Sequence, residues 1–572
     1  MVEINFRVGG EAGQGIQTVG YILAKTFVRG NLYVYTSQDY ESRIRGGHNF
    51  FHIRVSDNPV YGTSEKVDLL IALNKETLDI HTKALTENGA VIFDGEKTKI
   101  EKEDPSQFAV PFQRLAEETA KNKIFSNTVA IGVALSLVKY DFEILGGVLK
   151  EIFKAKSKQV AEDNIKAAEV GYRYAKENFK GKLALELKPV EGRKRMLIGG
   201  NEAVALGALA AGCKFMCGYP MTPSTGILQY MLNKSEKFKI VVEQAEDEIA
   251  ALNMALGASF TGVRAMTATS GGGFSLMVEA LSLAGMTETP VVIVLAQRPG
   301  PATGFPTRTE QGVLQFVLNA SHGEFARAIL APRNAEDAFY LMNKAFNIAE
   351  RYQIPVIVLT DQYLADSYWT VEPFDFSKIV IDRGELLSED EASIIKDYVR
   401  HRFTESGISP RALPGYKGVL VATDSDEHTE DGHITESAEI RMKMVRKRVW
   451  KTKGLEKEMA PLSYGPKEAR TVLLGWGSTY GAIRESVDHL NKEGFGVRML
   501  HFNAIWPFPI DAVLDELKGS KKRVIIEGNA TGQLARIIRT ETGIVMTNKI
   551  LRYDGKPITS EYIIHAFKEV NN

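Results

Sequence analysis

Residues 241–296 constrain the fold more than any other stretch, because they predict strands and helices in strict alternation. A short apolar run at residues 240–242 is typical of a buried strand, and residues 263–269 and 291–296 predict two further strands. A helix lies between the first two, and a glycine loop at residues 270–273 opens the helix before the third. Such alternation predicts an α/β fold with a parallel sheet of the doubly wound type.

The first of these helices begins with three carboxylates, Glu246, Asp247 and Glu248, where the helix dipole favours negative charge. Alanines and a glycine follow Glu248 on a helix face small enough for a ligand to approach. The loop at residues 269–273 follows a strand, and α/β sheets bind ligands at the carboxyl ends of their strands. An ordinary helix start remains the alternative explanation of the carboxylates.

A proline-rich motif, Tyr219-Pro220-Met221-Thr222-Pro223-Ser224-Thr225, precedes this stretch. Two prolines restrict the backbone around Thr222, so its hydroxyl is suited to orient a carbonyl or carboxylate. Arg298 follows the third strand, and its planar guanidinium can bind a carboxylate through two parallel hydrogen bonds. Arg308 is a second cation in the same loop. A plain proline-rich connector remains the alternative for the motif.

The N-terminal segment predicts a strand at residues 6–8, a glycine loop from Gly9 to Gly15 and a helix. This order can hold a phosphate, although neither the dinucleotide-binding spacing nor a P-loop lysine is present. Arg43, Arg45 and His48 form a second candidate anion site, with a solvated loop as the equal alternative. Neither pattern decides between binding and ordinary turn chemistry.

The C-terminal half contains charged segments and another α/β unit. Acids and two histidines at residues 424–433 indicate a surface loop rather than a metal site, and the basic helix at residues 440–453 is expected to have a solvated face. Strands at residues 471–474, 497–501 and 524–527 predict the second α/β unit.

Composition limits the classes of partner. A chain of 572 residues needs several domains, and its net charge of −1 predicts neither a nucleic acid nor a membrane partner. The two cysteines, Cys213 and Cys217, indicate a reduced cytoplasmic setting and are expected in the core. They cannot supply the four thiolates of an iron–sulfur cluster, so any such cluster must come from a partner.

The motif at Tyr219 resembles the YPITPS motif of the 2-oxoacid:ferredoxin oxidoreductases, with Met221 where that family usually has isoleucine. The resemblance continues through residues 297–301 and 304–307 and covers nearly the whole chain. It points to the alpha subunit with a fused N-terminal gamma domain. The implied segments are gamma (1–180), linker (181–195), pyrimidine-binding (196–375), connecting (376–465) and transketolase C-terminal-like (466–572).

This resemblance implies thiamine- and CoA-dependent oxidative decarboxylation of a 2-oxo acid to acyl-CoA, carbon dioxide and reduced ferredoxin. It implies that Glu248 bonds the aminopyrimidine ring of thiamine diphosphate, with Glu246 as the fallback and Ser270 and Gly271 as further cofactor contacts. The implied substrate-binding residues are Tyr219, Pro220, Thr222, Arg298 and Thr307.

The chain contains no GDG…NN segment, which in thiamine enzymes holds magnesium and the diphosphate. The resemblance therefore implies a beta subunit that carries magnesium and a [4Fe-4S] cluster, with no metal site in this chain.

Two other classes remain open. One is another thiamine enzyme subunit, an indolepyruvate oxidoreductase or a transketolase-like protein; the absent CxxC and diphosphate motifs argue against self-contained forms of these. The other is a nucleotide-binding regulatory protein built on the Gly9–Gly15 loop, which lacks an acidic residue at a convincing distance.

Overall fold

The computed structural model describes residues 2–42, 46–99, 104, 106–181, 183, 185–546 and 548–571. The chain forms two compact units. The first comprises Met1–Gly199, Asp366–Phe374 and Thr559–Tyr562, and the second comprises Gly200–Ala365, Asp375–Ile558 and Ile563–Asn572.

The strands of the described residues are β1 (Glu3–Ala12), β2 (Tyr33–Asp39), β3 (Gly46–Ser56), β4 (Val67–Ala72), β5 (Leu85–Asp94), β6 (Gln107–Val110), β7 (Met196–Gly199), β8 (Phe215–Gly218), β9 (Val241–Gln244), β10 (Ala265–Thr269), β11 (Val291–Gln297), β12 (Ala328–Leu330), β13 (Pro355–Asp361), β14 (Tyr368–Val371), β15 (Leu462–Tyr464), β16 (Thr471–Trp476), β17 (Val497–Phe502), β18 (Ala504–Trp506), β19 (Lys522–Glu527) and β20 (Asn548–Leu551).

The α-helices are α1 (Ile16–Arg29), α2 (Lys75–His81), α3 (Phe112–Ala120), α4 (Ser126–Leu137), α5 (Phe142–Phe153), α6 (Lys158–Asn178), α7 (Gly200–Ala210), α8 (Thr225–Phe238), α9 (Glu248–Phe260), α10 (Gly271–Leu276), α11 (Val278–Met286), α12 (Leu314–Asn319), α13 (Ala335–Tyr352), α14 (Gln362–Asp366), α15 (Glu389–Ile394), α16 (Ala438–Trp450), α17 (Tyr480–Lys492), α18 (Ile510–Leu517), α19 (Gln533–Thr542) and α20 (Ser560–Asn571).

An eight-stranded mixed sheet organises the first unit, in the order β6-β5-β4-β1-β3-β2-β14-β7. β1 pairs in parallel with β4 and antiparallel with β3. The apolar face of α1 packs in its core, as the sequence predicted, because Val19, Leu23 and Phe27 are all buried. β7 and β14 lie within the segment 196–375 and pair with each other at the edge of this sheet.

The prediction of a glycine loop from Gly9 to Gly15 is wrong in its first part. Gly9 and Gly10 belong to β1, where a Cβ on Gly9 would lie 2.5 Å from Thr77 Cγ2. These glycines therefore allow close packing within the sheet instead of forming a turn. The turn before α1 comes later and ends at Gly15, whose φ of 76° suits a residue without a Cβ.

A seven-stranded sheet forms the centre of the second unit, in the order β18-β12-β13-β11-β10-β8-β9. All its neighbouring strands are parallel except β18, which runs antiparallel to β12. β9, β10 and β11 confirm the three strands predicted from residues 240–296, but the prediction that the first is buried is wrong, because β9 lies at the edge of the sheet and Val241 is 56% exposed. Every residue of β10 and β11 is buried, which explains the apolar run of β11 up to Gln297, while β10 also buries Thr267 and Thr269.

A five-stranded sheet, β15-β17-β16-β19-β20, forms the C-terminal part of the same unit and confirms the predicted second α/β region. One apolar core runs from it to the seven-stranded sheet and includes Trp476, Phe502 and Ile329. The expectation that the basic helix has a solvated face is wrong in part, because Lys447 and Arg448 of α16 are buried. His428 in the predicted surface loop is also buried.

Candidate functional site

The carboxyl edge of the seven-stranded sheet gathers the residues that the sequence singled out. The motif at Tyr219 follows β8, Glu248 follows β9, Ser270 follows β10 and Arg298 follows β11. Because these four strands run parallel, their carboxyl ends share one edge of the sheet. The fold therefore brings together groups that lie as far as 79 residues apart, between Tyr219 and Arg298.

Glu248 is a buried carboxylate at the N-terminus of α9, with 3% of its surface exposed. Asp247 caps this helix, since its Oδ1 accepts a hydrogen bond of 2.8 Å from the Ala250 amide. Glu248 Oε1 lies 3.5 Å from Thr269 Oγ1, a long hydrogen bond for a carboxylate. A buried carboxylate held this weakly is suited to bind a polar group of a ligand.

Glu246 differs from Glu248 in its surroundings. It lies two residues before the helix and is exposed, whereas Glu248 is enclosed beside Thr269. Burial strengthens a hydrogen bond to a carboxylate because water does not compete for it. The geometry therefore favours Glu248 over Glu246 as the residue that contacts a bound ring.

Space beside Glu248 depends on the glycines of α10. A Cβ on Gly273 would lie 2.3 Å from Glu248 Oε1 and 2.1 Å from Thr269 Oγ1. A Cβ on Gly272 would meet no atom within 4 Å, so the backbone borders open space there. A Cβ on Gly271 would lie 3.1 Å from a Val313 methyl group. The predicted glycine loop is thus largely the first turn of a short helix.

Ser270 occupies the N-cap position of α10 without a side-chain capping hydrogen bond and is completely buried. Its Oγ has no hydrogen-bond partner among the described residues. A buried hydroxyl without a partner is costly and rare in folded proteins. Together with Glu248 and the opening at Gly272, this hydroxyl fits the binding of a polar ring.

The proline-rich motif is held rigidly. Arg298 Nη1 donates a hydrogen bond of 2.8 Å to the Thr222 carbonyl. Asn201 Nδ2 donates one of 2.8 Å to the Pro223 carbonyl, and Ser224 Oγ donates one of 2.8 Å to the Met221 carbonyl. Arg298 therefore positions the motif, and its other guanidinium donors remain for a ligand. Burial lowers the pKa of Arg298 from its ordinary value.

The remaining predicted substrate residues lie at different depths. Tyr219 is 40% exposed and Pro220 is half-buried on the turn after β8. Thr307 is buried in the long loop after Arg298, without a hydrogen bond to Arg298 or Thr222 in the described parts of the chain. The structure thus joins Thr222 directly to Arg298 and leaves Thr307 as a separate candidate.

Sequence analysis missed Asp361 as a site residue. It ends β13 opposite Gln297 of β11, at the same edge of the sheet. Burial raises the pKa of Asp361 to about 6, against the hydrogen bonds from Ser478 Oγ and the Leu364 and Tyr363 amides. The available signal was its position directly after an apolar strand. A carboxyl group with this pKa can exchange protons near neutral pH.

The glycine turn of the first unit borders a cavity of about 350 Å³. Glu11, Asp39 and Glu41 line it, so the described residues do not favour a phosphate there. His48 Nε2 instead lies 2.7 Å from His81 Nε2 within the same unit. The predicted anion-binding residues Arg43 and Arg45 lie outside the described residues.

Cys213 and Cys217 are buried free thiols, as predicted. In the described parts of the chain, no group of three His, Cys, Asp or Glu residues is arranged to hold a metal ion. None of the described helices is long and apolar enough to cross a membrane.

Three family profiles match successive parts of the chain. Residues 5–174 match pyruvate ferredoxin/flavodoxin oxidoreductase. Residues 206–447 match the thiamine diphosphate-binding region of pyruvate flavodoxin/ferredoxin oxidoreductase. Residues 469–563 match core domain II of pyruvate:ferredoxin oxidoreductase.

One curated relative matches over the full length, and another matches over part of the chain. The 2-oxoacid:ferredoxin oxidoreductase subunit alpha of Sulfolobus sp is 33% identical, covering 100% of this chain and 97% of the relative. The 2-oxoglutarate synthase subunit KorA of Methanocaldococcus jannaschii is 34% identical over 61% of this chain and 94% of its own.

A solved structure is also similar over the full length. The 2-oxoglutarate:ferredoxin oxidoreductase of Magnetococcus marinus, with 2-oxoglutarate, coenzyme A and succinyl-CoA bound, has a TM-score of 0.93 and 32% identity, covering 100% of this chain and 99% of that chain.

Proposed function

The chain belongs to the 2-oxoacid:ferredoxin oxidoreductases, as an alpha subunit with a fused gamma domain, and we propose that the carboxyl edge of its seven-stranded sheet is the thiamine and substrate site. The observation that carries this proposal is the buried carboxylate of Glu248 beside Thr269 and the opening at Gly272. The reaction converts a 2-oxo acid and CoA to acyl-CoA and carbon dioxide, and an electron pair passes to ferredoxin.

Glu248 would hold the aminopyrimidine ring of thiamine diphosphate, and Ser270 and Gly271 would border the same ring. Two features of the chain support this fit: the Ser270 hydroxyl lacks a partner among the described residues, and Gly273 keeps the space beside Glu248 free of a Cβ. When bound, thiamine diphosphate supplies the electron sink for decarboxylation. The chain's own contribution is a water-poor pocket with a carboxylate fixed by a capped helix.

Thr222 and Arg298 would hold the 2-oxo acid, with Tyr219, Pro220 and Thr307 around it. Arg298 already fixes the backbone at Thr222 through its 2.8 Å hydrogen bond. Its remaining guanidinium donors suit the substrate carboxylate, because an arginine can bind a carboxylate through two parallel bonds. The Thr222 side chain, held on the rigid turn, suits the neighbouring carbonyl oxygen.

The rest of the enzyme is assigned to partners. We assign the [4Fe-4S] cluster to a beta subunit, because this chain has only two cysteines and both are buried. We assign magnesium and the diphosphate site to the same subunit, because this chain has no GDG…NN segment. Ferredoxin is the proposed electron acceptor and the cytoplasm the proposed location. The matched regions support a gamma domain at 1–180, a pyrimidine-binding domain at 196–375 and a transketolase C-terminal-like domain at 466–572.

The test is anaerobic reduction of a viologen dye by the chain co-expressed with its beta subunit, with CoA and a panel of 2-oxo acids. We expect Arg298→Ala to raise the KM of the best 2-oxo acid by about 10- to 150-fold, the equivalent of a lost charge-assisted hydrogen bond of roughly 1.5–3 kcal/mol. The KM of CoA should not change.

Arg308→Ala is the comparison, because Arg308 is the second cation of the same loop. An unchanged KM in Arg298→Ala, or an equal rise in Arg308→Ala, would contradict the role of Arg298. Turnover retained by Glu248→Gln would remove Glu248 from the proposed site.

A further inference from the structure

A cleft of about 900 Å³ lies in the second unit between α16 and the loop at residues 403–408. This volume is within the range of small-molecule sites. None of the residues assigned above to thiamine or the 2-oxo acid lines it. Its lining contains one acid, Glu405, and five cations: Lys443, Arg446, Lys447, Lys451 and Lys453.

Two of these cations form the buried floor of the cleft. Lys447 and Lys451 are 6% and 3% exposed, and both contact Glu288, which is fully buried. The Lys451 ammonium lies 2.9 Å from Glu288 Oε2 and also donates a hydrogen bond of 2.6 Å to the Gln353 carbonyl. One carboxylate therefore serves two buried ammonium groups.

Arg400 adds a further positive charge behind this floor. It is buried and donates to the Glu288 carbonyl at 2.8 Å. His401 lies 3.1 Å from Glu288 Oε1, and burial lowers its pKa to about 3, so it is neutral. The group of Lys447, Lys451, Arg400 and Glu288 thus carries two more positive charges than negative. Each of these cations has a hydrogen-bond partner, but the excess of positive charge favours an anion in the cleft beside them.

The rim adds further cations and an aromatic wall. Arg446 and Lys453 make no ion pair with the described residues, and Arg446 Cζ lies 4.9 Å from the centre of the Trp450 ring. Trp450 is 59% exposed, and Phe403 and Tyr352 also line the cleft. An exposed indole beside a guanidinium is suited to stack on a planar, electron-rich ring.

The loop opposite α16 contributes hydroxyl groups. Gly407 has a φ of 75°, and a Cβ there would lie 3.0 Å from Lys451 Cβ. This glycine therefore lets the loop lie close to the end of α16. Both Thr404 and Ser406 line the cleft. Thr404 Oγ1 donates to the Ile408 carbonyl at 2.9 Å, whereas Ser406 Oγ accepts from the Ile408 amide at 3.2 Å, so Ser406 is the hydroxyl that can donate to a phosphate oxygen.

We propose that this cleft binds a nucleoside polyphosphate, with the phosphates on Arg446 and Lys453, near the buried Lys447 and Lys451, and the base against Trp450. Arg446, which makes no ion pair with the described residues, lies beside an exposed indole, and this pairing favours a nucleotide over a broad acidic protein surface. The same chemistry is present in free nucleotides such as ADP and in the adenosine diphosphate part of CoA.

The test is calorimetric titration of the assembled enzyme with ADP and with inorganic pyrophosphate. Both should bind and compete with each other. The double variant Arg446→Ala/Lys453→Ala should weaken both ligands at least tenfold. Trp450→Leu should weaken ADP and leave pyrophosphate unchanged, because pyrophosphate has no ring. Arg441→Ala, also on α16 but outside the cleft, should change neither.

CoA distinguishes the two sources of the ligand. If CoA displaces ADP, and the double variant raises the KM of CoA but not of the 2-oxo acid, the cleft serves CoA. If ADP binds and the KM of CoA is unchanged, the cleft serves free nucleotide. The proposal fails if neither ADP nor pyrophosphate binds, or if the double variant binds them as the wild type does. The titration requires no turnover, so it can fail or succeed independently of the proposed activity.

Discussion

At the scale of single residues, Gly273 and Gly272 make the proposed thiamine pocket testable without touching its polar groups. Gly273→Ala places a methyl group about 2 Å from Thr269 Oγ1 and Glu248 Oε1, closer than carbon atoms approach in real structures. Either the carboxylate or α10 must move. We expect the concentration of thiamine diphosphate that gives half-maximal viologen reduction to rise at least tenfold.

Gly272→Ala tests the opening that the proposed ring borders. It adds the same methyl group one residue away, in the same helix, where no atom lies within 4 Å. Both variants gain the same helix propensity, so this common effect cancels in the comparison. Wild-type thiamine dependence in both variants would show that α10 does not border the cofactor. A loss confined to Gly272→Ala would instead place the bound ring over Gly272.

At the scale of secondary-structure elements, α16 is attached to the second unit through Glu288. Burial alone would raise the pKa of Glu288, yet Lys451, Lys447 and His401 hold it well below its usual range. Glu288→Gln leaves two buried ammonium groups without their carboxylate. We expect a loss of about 3–5 kcal/mol in the free energy of unfolding, measured by urea denaturation, as for other broken buried ion pairs.

Glu439→Gln provides the comparison on the same helix. The Glu439 carboxylate lies 2.7 Å from Lys443 Nζ, but both side chains are largely exposed. Exposed pairs of this kind contribute little, so the urea midpoint should stay within error of the wild type. A wild-type midpoint in Glu288→Gln would mean that the cluster does not hold α16 through charge.

The sequence predicted the elements whose signal is local. β11 is an apolar run that ends at Gln297, and parallel pairing with its neighbours then places Glu248 and Arg298 at one edge. Contacts between segments that lie far apart in the sequence have no such local signal. Lys447 and Glu288 are 159 residues apart, and a basic helix has the same composition whether its lysines meet water or a buried carboxylate. The prediction of a turn at Gly9 was wrong because a glycine pair is typical of turns. The packing of Gly9 against Thr77, which is distant in the sequence, becomes visible only in the structure.

At the scale of the whole molecule, both units contain histidines that fold in the neutral state. Burial is the largest cause in each case: the pKa of His52 in the first unit and of His501 in the second lies well below the usual value, and that of His401 is about 3. In the unfolded chain these groups titrate near pH 6.5. Acid therefore favours the unfolded state of both units.

The direction of the pH effect follows from proton binding. Below about pH 6.5 the unfolded chain takes up protons that the folded chain does not, so the free energy of unfolding falls as pH falls. At about pH 5.5 the loss is about 1.4 kcal/mol for each buried histidine. Asp361 acts in the opposite direction, because its raised pKa of about 6 lets the folded state bind a proton first. At about pH 5.5 the proton bound by Asp361 stabilises the folded state by roughly 1 kcal/mol, which offsets part of the loss caused by the buried histidines.

His501→Gln should remove one histidine's share of this dependence. His501 is fully buried, and its Nδ1 has no hydrogen-bond partner among the described residues. The free energy of unfolding, measured in urea at about pH 7.5 and pH 5.5, should fall about 1.4 kcal/mol less in the variant than in the wild type, whatever the variant's stability at pH 7.5. An identical pH dependence in the two proteins would mean that His501 takes up its proton equally well in the folded and unfolded states. Burial would then not be what keeps this histidine neutral.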